Sequence, residues 1–342
     1  MTILLDFDLV KNLIRLIHEN ITNGGKLQAI EVRKLIKKYD KIAVLDNLDL
    51  IINEGEFYCL MGPNGSGKTT LSSIIASIRK PTSGEVKIFG KKPEQSKRLV
   101  GYIPQENFSD PNLTGLENLH YFARMLGYSN KDTKTIAEEL LKKVGLFDDK
   151  NKRVSKFSGG MRKKLELSTI LFPHIKIFIL DEPTTGLDPS ARRNFFGLID
   201  QLKDKSTTVL LISHIGSDAE LASRVGLMDM GKIIAEGSPD ELKNGSGLKN
   251  VINIEVSVKN EKIKNILNDF NKGEELLETD EGYKIYTDET SEVIPEIVRS
   301  VESNGYKVLQ IGSVTPSLED VFFKLTGKKV REATEKLKGA KK

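Results

Sequence analysis

The sequence predicts an α/β core followed by a smaller α+β unit, and three observations carry that reading. Short apolar runs such as EFYCLM, IKIFIL and TTVLLIS alternate with stretches of helical periodicity, the pattern of a parallel sheet covered on both faces. A glycine-rich loop, GPNGSGKT at residues 62–69, joins one such run to a helix. Beyond about Ser246 the composition turns more polar and the element order becomes strand, helix, strand, strand, helix, strand.

At 342 residues the chain has room for two or three domains with a sizeable core. Charged residues make up 29% and hydrophobic ones 38%, which suits a folded chain rather than a disordered one. A net charge of +4 does not point to nucleic acid. The single cysteine, Cys59, excludes an internal disulfide framework and fits a reducing compartment. Its place in EFYCLM puts it in the core. No apolar stretch approaches the ~18 residues needed to span a bilayer, so any membrane role comes through a partner.

Taken in order, residues 1–29 form an N-terminal extension in which Leu9, Leu13, Leu16, Ile17 and Ile21 recur at helical spacing. The basic start and small-residue cleavage site of a signal peptide are missing. The helix is expected to pack on its own domain or on a partner, since its mixed charge is unlike the Lys/Arg-rich face of an interfacial membrane helix. From about Ile30 the alternation in KIAVLDNLDLIINEGEFYCLM predicts strands, with Asn53-Glu54-Gly55 as a turn. LSSIIASI follows as a helix. The first domain runs over 30–245, with a helical subdomain at about 106–171. In the accessory domain at 246–327, NVINIEVSV, the two strands of ELLETDEGYKIYTD about Glu281-Gly282, and YKVLQIGSV are strands. KIKNILNDF and SEVIPEIVRSVESNG are helices, giving a ferredoxin-like order closed by the helix LEDVFFKLTG. The basic tail at 328–342 reads as a solvated end, with contact to acidic lipid headgroups as the alternative.

Triphosphate binding needs many backbone donors around crowded negative oxygens. Gly62, Gly65 and Gly67 let the main chain curl closely, and the helix starting near Lys68 directs its positive end at the phosphates. Lys68 supplies a point charge to the β/γ-phosphates and Thr69 a hydroxyl for Mg2+; Pro63, Asn64, Ser66 and Thr70 complete the loop. This predicts a nucleotide-binding site. Asp181 and Glu182 follow IKIFIL, with Pro183 after them. Such a pair often only caps a helix. After a phosphate loop, Asp181 can orient Mg2+ and its waters and Glu182 can act as general base on the attacking water. Between loop and pair lies a second glycine-rich anion cradle, Ser158-Gly159-Gly160, in FSGGMRKK.

That order of motifs resembles the ATP-binding cassette (ABC) ATPases, over roughly residues 30–245. The resemblance implies a phosphate-loop NTPase (RecA-like) α/β core with antiparallel β and α-helical subdomains. It implies that Tyr39, in KKYDKIAVLD, stacks on adenine, and that Gln105, in GYIPQEN, approaches Mg2+ and the water. Ser158, Gly159 and Gly160 are then the signature that holds the γ-phosphate of a facing subunit's ATP. Asp188, in TGLDP, matches the loop that crosses the dimer interface, and His214, in LLISH, the histidine that senses the γ-phosphate. Phe157 stands where the family usually has leucine, an exchange that keeps a bulky apolar anchor.

The resemblance further implies an ATP hydrolase of two such subunits, a homodimer or a heterodimer with a paralogue, in which ATP acts as glue. The ending TPSLEDVFFKLTG resembles ATPase subunits of the ABC-2 exporter class. The chain is expected at the cytoplasmic face of the cell membrane, held there through a multi-span permease whose coupling helices face residues 105–119, with no nucleic acid. The alternative, a non-transport ABC ATPase acting on DNA or the ribosome, lacks support: there is no long heptad-bearing insertion and no second phosphate loop.

Overall fold

A computed structural model describes residues 27–248, 250–271, 276–287 and 290–327. The amphipathic spacing of residues 9–21 and the basic tail lie outside the described residues. Two units are distinguished. Of the described residues, one holds those through Leu60 with Ser66–Ile212 and Asp229–Ile233; the other holds Met61–Gly65, Ser213–Met228 and those from Ile234 onward.

In the first unit β1 (Gln28–Tyr39) pairs antiparallel with β2 (Ile42–Asn53). Leu48, Leu50 and Ile52 of β2 are buried while Asp49 and Ile51 face outward, the period-2 alternation of a half-buried strand. β3 (Phe57–Met61) leads to the glycine-rich loop and α1 (Lys68–Ile75). β4 (Ser83–Ile88) then pairs with the other edge of β1, giving the order β2-β1-β4. β5 (Val100–Ile103) and β6 (Ile177–Asp181) are parallel, as are β6 and β7 (Thr208–Ser213), in the order β5-β6-β7-β3. Every residue of β6 and β7 is buried, which is why their sequences are unbroken apolar runs rather than alternating ones.

Between β5 and β6 come α2 (Gly115–Met125), α3 (Asn130–Lys143) and α4 (Gly159–Ser168). Thr114 and Glu117 form a reciprocal capping box that starts α2. Leu119, Ala123, Leu140, Leu141, Leu165 and Phe172 pack the three helices into one apolar cluster. α5 (Pro189–Leu202) lies between β6 and β7 in the chain.

In the second unit α6 (Gly216–Ala219), β8 (Arg224–Asp229) as far as Met228, β9 (Lys232–Gly237) from Ile234, and α7 (Pro239–Gly245) precede the accessory sheet. β10 (Val251–Val256), α8 (Glu261–Asn268), β11 (Leu277–Glu278), β12 (Gly282–Tyr286), α9 (Thr290–Ser303) and β13 (Val308–Val314) follow. The strands form an antiparallel sheet in the order β11-β12-β10-β13. Ile254, Ile263, Leu267, Ile285, Ile297 and Val301 fill its core. Gly282, expected in a turn, opens β12 instead: a Cβ there would overlap the Ile254 carbonyl oxygen, so only glycine lets the strands meet. α10 (Leu318–Thr326) closes the unit between a Ser317–Asp320 capping box and Gly327. Gly327 takes a left-handed φ of 61° and its N–H donates to the Phe323 oxygen at 2.7 Å. Among the described residues no helix is long and apolar enough to cross a membrane.

Candidate functional site

The loop at residues 62–69 continues β3 into α1, and its conformation explains its glycines. Gly65 and Gly67 have φ of 84° and 107°, values that a side chain would strain. Gly67 occupies the N-cap of α1, and its carbonyl accepts from Leu71 N at 2.9 Å. The Ser66 hydroxyl is buried with no hydrogen-bond partner, a donor left for a ligand. Thr70 lies on the same helix, partly exposed.

Lys68, the first residue of α1, is only 4% exposed. Burial pushes its ammonium below the ordinary lysine range, while the Glu182 and Asp181 carboxylates pull it back up. Asp181, fully buried, ends β6. Its Oδ1 accepts from the Thr69 hydroxyl at 3.1 Å, and its Oδ2 from Ser72 at 3.1 Å and Tyr102 at 3.2 Å. Burial raises the Asp181 carboxyl above its usual range against the pull of those hydroxyls. Tyr102 is pushed up to about 12, first by burial and then by the Asp181 charge.

Glu182 departs from ordinary backbone geometry with φ of 47°, an uncommon conformation for a non-glycine residue. Its N–H donates to the Ile212 oxygen at 2.9 Å, and its Oε2 accepts from Gln105 Nε2 at 3.0 Å and Thr185 Oγ1 at 3.4 Å. Thus Thr69, Asp181, Glu182 and Gln105 come together, with Lys68 within electrostatic reach.

The other sequence candidates have contacts of their own. Tyr39 ends β1, 38% exposed, its hydroxyl accepting from Arg79 and its ring under Lys37 Nζ at 5.0 Å. Ser158 is the N-cap of α4, accepting from Met161 N at 3.2 Å, and nothing lies close to where Cβ atoms on Gly159 or Gly160 would point. Ser158 and Gly160 line a cavity of about 530 Å3 together with Leu187 and Ala191, which flank the start of α5. Asp188 caps α5, accepting from Ser190 N and Ala191 N at 2.9 Å each. Those two N–H groups hold its carboxyl below the usual range, Ala191 foremost. His214 is half-buried directly after β7. Gly62, Pro63 and Asn64 open the loop behind β3.

Three contributors are absent from the sequence reading. Ser72 sits three residues after Thr69, so helical spacing alone would have placed it beside Asp181. Tyr102 reaches Asp181 because β5 and β6 pair in parallel, a register no local signal gives. The third is Glu166 on α4, fully buried. It accepts from Phe108 N at 3.2 Å, Ser109 Oγ at 3.1 Å and Lys163 Nζ at 3.3 Å. Arg162 Nε donates to Ser109 Oγ at 2.8 Å, and another Arg162 nitrogen to the Ser109 carbonyl at 2.6 Å. This cluster fastens the stretch after Gln105 to α4.

A glycine-rich loop on a helix N-terminus, facing paired carboxylates at the end of a parallel strand, defines a phosphate-loop nucleotide hydrolase. Comparison with known proteins narrows this. The ABC transporter family matches residues 45–185, and the C-terminal domain of DrrA1-3-like ATP-binding proteins matches residues 237–326. The daunorubicin resistance ATP-binding protein DrrA2 of Streptomyces coeruleorubidus is 33% identical over 90% of this chain and 98% of its own length. The linearmycin resistance ATP-binding protein LnrL of Bacillus subtilis is 30% identical over 89% of this chain and its full length. A Nod factor export ATP-binding protein I of Burkholderia thailandensis is 32% identical over 89% of this chain and 98% of its own. A dimeric ATP-binding cassette in a post-hydrolysis state, bound to ADP and Pi, covers 61% of this chain and 98% of its own, with a TM-score of 0.56 and 28% identity. The chain belongs to the ABC transporter ATP-binding proteins, in their DrrA/NodI-like ABC-2 exporter family. It is the ATP-binding, ATP-hydrolysing component of an ABC exporter, with an α/β phosphate-loop fold of mixed and antiparallel sheets and a DrrA-type C-terminal domain.

Proposed function

We propose that this chain binds MgATP at the loop of residues 62–69 and completes hydrolysis only against a second subunit. The carrying observation is the division of the anion-binding parts into two groups. Lys68, Thr69, Asp181, Glu182 and Gln105 form one; Ser158 and Gly160 line a cavity of their own beside the start of α5. In this reading the signature residues Ser158, Gly159 and Gly160, with Asp188, serve the ATP of a facing copy or a paralogue, and Tyr39 stacks on adenine.

The donor set suits Mg2+. A hard divalent cation takes hydroxyl, carboxylate and amide oxygens, and Thr69 and Asp181 present theirs 3.1 Å apart. A carboxylate whose charge is disfavoured by burial gains most from a cation. Thr69, Asp181 and Gln105 would hold the ion, which supplies charge neutralisation at the phosphates. Glu182 polarises the attacking water, Gln105 orients its carboxylate, and His214 senses the γ-phosphate. The negative triphosphate offsets the burial of the Lys68 ammonium.

The domain reading is a nucleotide-binding domain over 30–245, with its helical subdomain at about 106–171, and a ferredoxin-like accessory domain over 246–327. The strand order β11-β12-β10-β13 supports the latter. The partner is a multi-span permease, which holds this chain at the cytoplasmic face of the membrane. Its docking face is supported by an open, mainly apolar groove of about 610 Å3 lined by Ile78, Pro104, Phe108, Phe122 and Met125. Exposed Ile78 and Met125 offer contact area there.

Glu182→Gln tests the shared site. It should bind ATP with affinity within a few-fold of the parent, lose turnover about 10²-fold or more, and sediment as a dimer at saturating MgATP. A variant that remains monomeric under those conditions overturns the two-subunit site.

A further inference from the structure

We propose that Glu319, on the closing helix of the accessory unit, is a positioning residue for ATP hydrolysis that sets the segment carrying His214. The inference rests on the reading of His214 as the γ-phosphate sensor. Its evidence lies in how the chain after β7 is held. Ser213 Oγ donates to Asp218 Oδ2 at 3.1 Å and accepts from Ile215 N at 3.1 Å. One residue further, the Gly216 N–H donates to Glu319 Oε1, across 103 residues of sequence. His214 therefore sits between two anchors, one local and one supplied by α10.

The geometry around Gly216 is specific to that carboxylate. Its backbone has no positive φ, so conformational freedom does not explain the glycine. A Cβ at Gly216 would instead overlap the Glu319 carboxylate. A carboxylate on a backbone N–H at a turn start forms a charge-assisted bond, roughly twice as strong as a neutral one. The neighbouring Asp320 shows that α10 is itself firmly seated. Its Oδ1 accepts from Lys284 Nζ at 2.7 Å and from the Tyr286 hydroxyl at 3.2 Å, both on β12. Leu318, Val321 and Phe322 are all but fully buried. Adjacent carboxylates on one helix thus reach the accessory sheet and the His214 segment, so a shift of that sheet moves the histidine.

Steady-state ATPase of the full chain, normalised to the fraction of molecules that binds ATP, tests this. Glu319→Ala should lower kcat about tenfold with KM for ATP within twofold of the parent. Glu319→Gln keeps an acceptor and should recover kcat to within about threefold. Gly216→Ala, which expels the carboxylate, should match Glu319→Ala. The double variant His214→Ala/Glu319→Ala should be no slower than His214→Ala alone, because a residue acting through another adds nothing once that one is gone. Normal kcat in Glu319→Ala beside a slow His214→Ala overturns the inference alone. So does a Glu319→Gln as slow as Glu319→Ala, a KM that rises with the loss, or losses that multiply in the double variant. Full turnover in His214→Ala overturns the sensor reading and the inference with it.

Discussion

Around Asp181 the interior is charged and one backbone residue is strained, whereas from β10 to β13 the interior is mainly apolar and the backbone relaxed. Lys68, Asp181 and Glu182 are all below 9% exposed within one small region, and Glu182 holds φ of 47°. In the accessory unit the core is Ile254, Ile263, Leu267, Ile285 and Ile297. Among the described residues beyond Met230, only glycines take positive φ. The difference teaches where each region's stability comes from. Buried charge and strained backbone persist only when surrounding structure over-determines them, and they cluster at functional sites. The charges around Asp181 are therefore held in place by the structure packed about them, while the accessory sheet is held mainly by burial of apolar surface.

Substituting the strained residue gives the largest test. Glu182→Gly should abolish turnover, about 10²–10⁴-fold for loss of a general base, yet raise the unfolding free energy of the nucleotide-free chain by about 1 kcal/mol as backbone strain is released. A variant less stable than the parent breaks the comparison. The opposite exchange is next in size. Ile297→Ala opens a cavity at a fully buried position and should lower stability by about 2–5 kcal/mol in denaturant titration, leaving ATP affinity of the folded chain unchanged. A matching loss of affinity would show that the two regions share their stability.

The smallest effect concerns Asp188, a relaxed cap within the nucleotide region. Its carboxyl is depressed, so its stabilisation is present above the ordinary carboxylate pKa and is lost as pH falls through the lower folded value. Asp188→Asn keeps an acceptor for Ser190 N and Ala191 N without the charge. Melting curves between pH 7 and pH 3 should show a smaller acid loss for the variant. Equal losses would mean that this cap carries no pH-dependent stability.

Backbone demands are what the sequence displays best. Gly65 and Gly67 are legible because left-handed φ values exclude most other residues. The buried strands β6 and β7 are legible as unbroken apolar runs, and Ser72 could have been found by its spacing from Thr69. Tyr102 and Glu166 could not. Their partners lie 79 and 57 or 58 residues away, and parallel register or helix docking brings them together. Gly282 misled as a turn residue because glycine also marks close strand approach. The Glu319 contact was hidden for the same reason as Tyr102: its partner is set by tertiary packing.

The Glu166 cluster ties two stretches of chain into one piece. A fully buried carboxylate fastened to Ser109 and to the helix that Ser158 caps leaves little slack between the two. Breaking it would strand the Lys163 ammonium, 6% exposed, in the interior. A pull on the stretch after Gln105 therefore swings the Ser158 end of α4 as though loop and helix were one casting. On the reading proposed for Ser158-Gly159-Gly160, the loop would set the aim of that cradle.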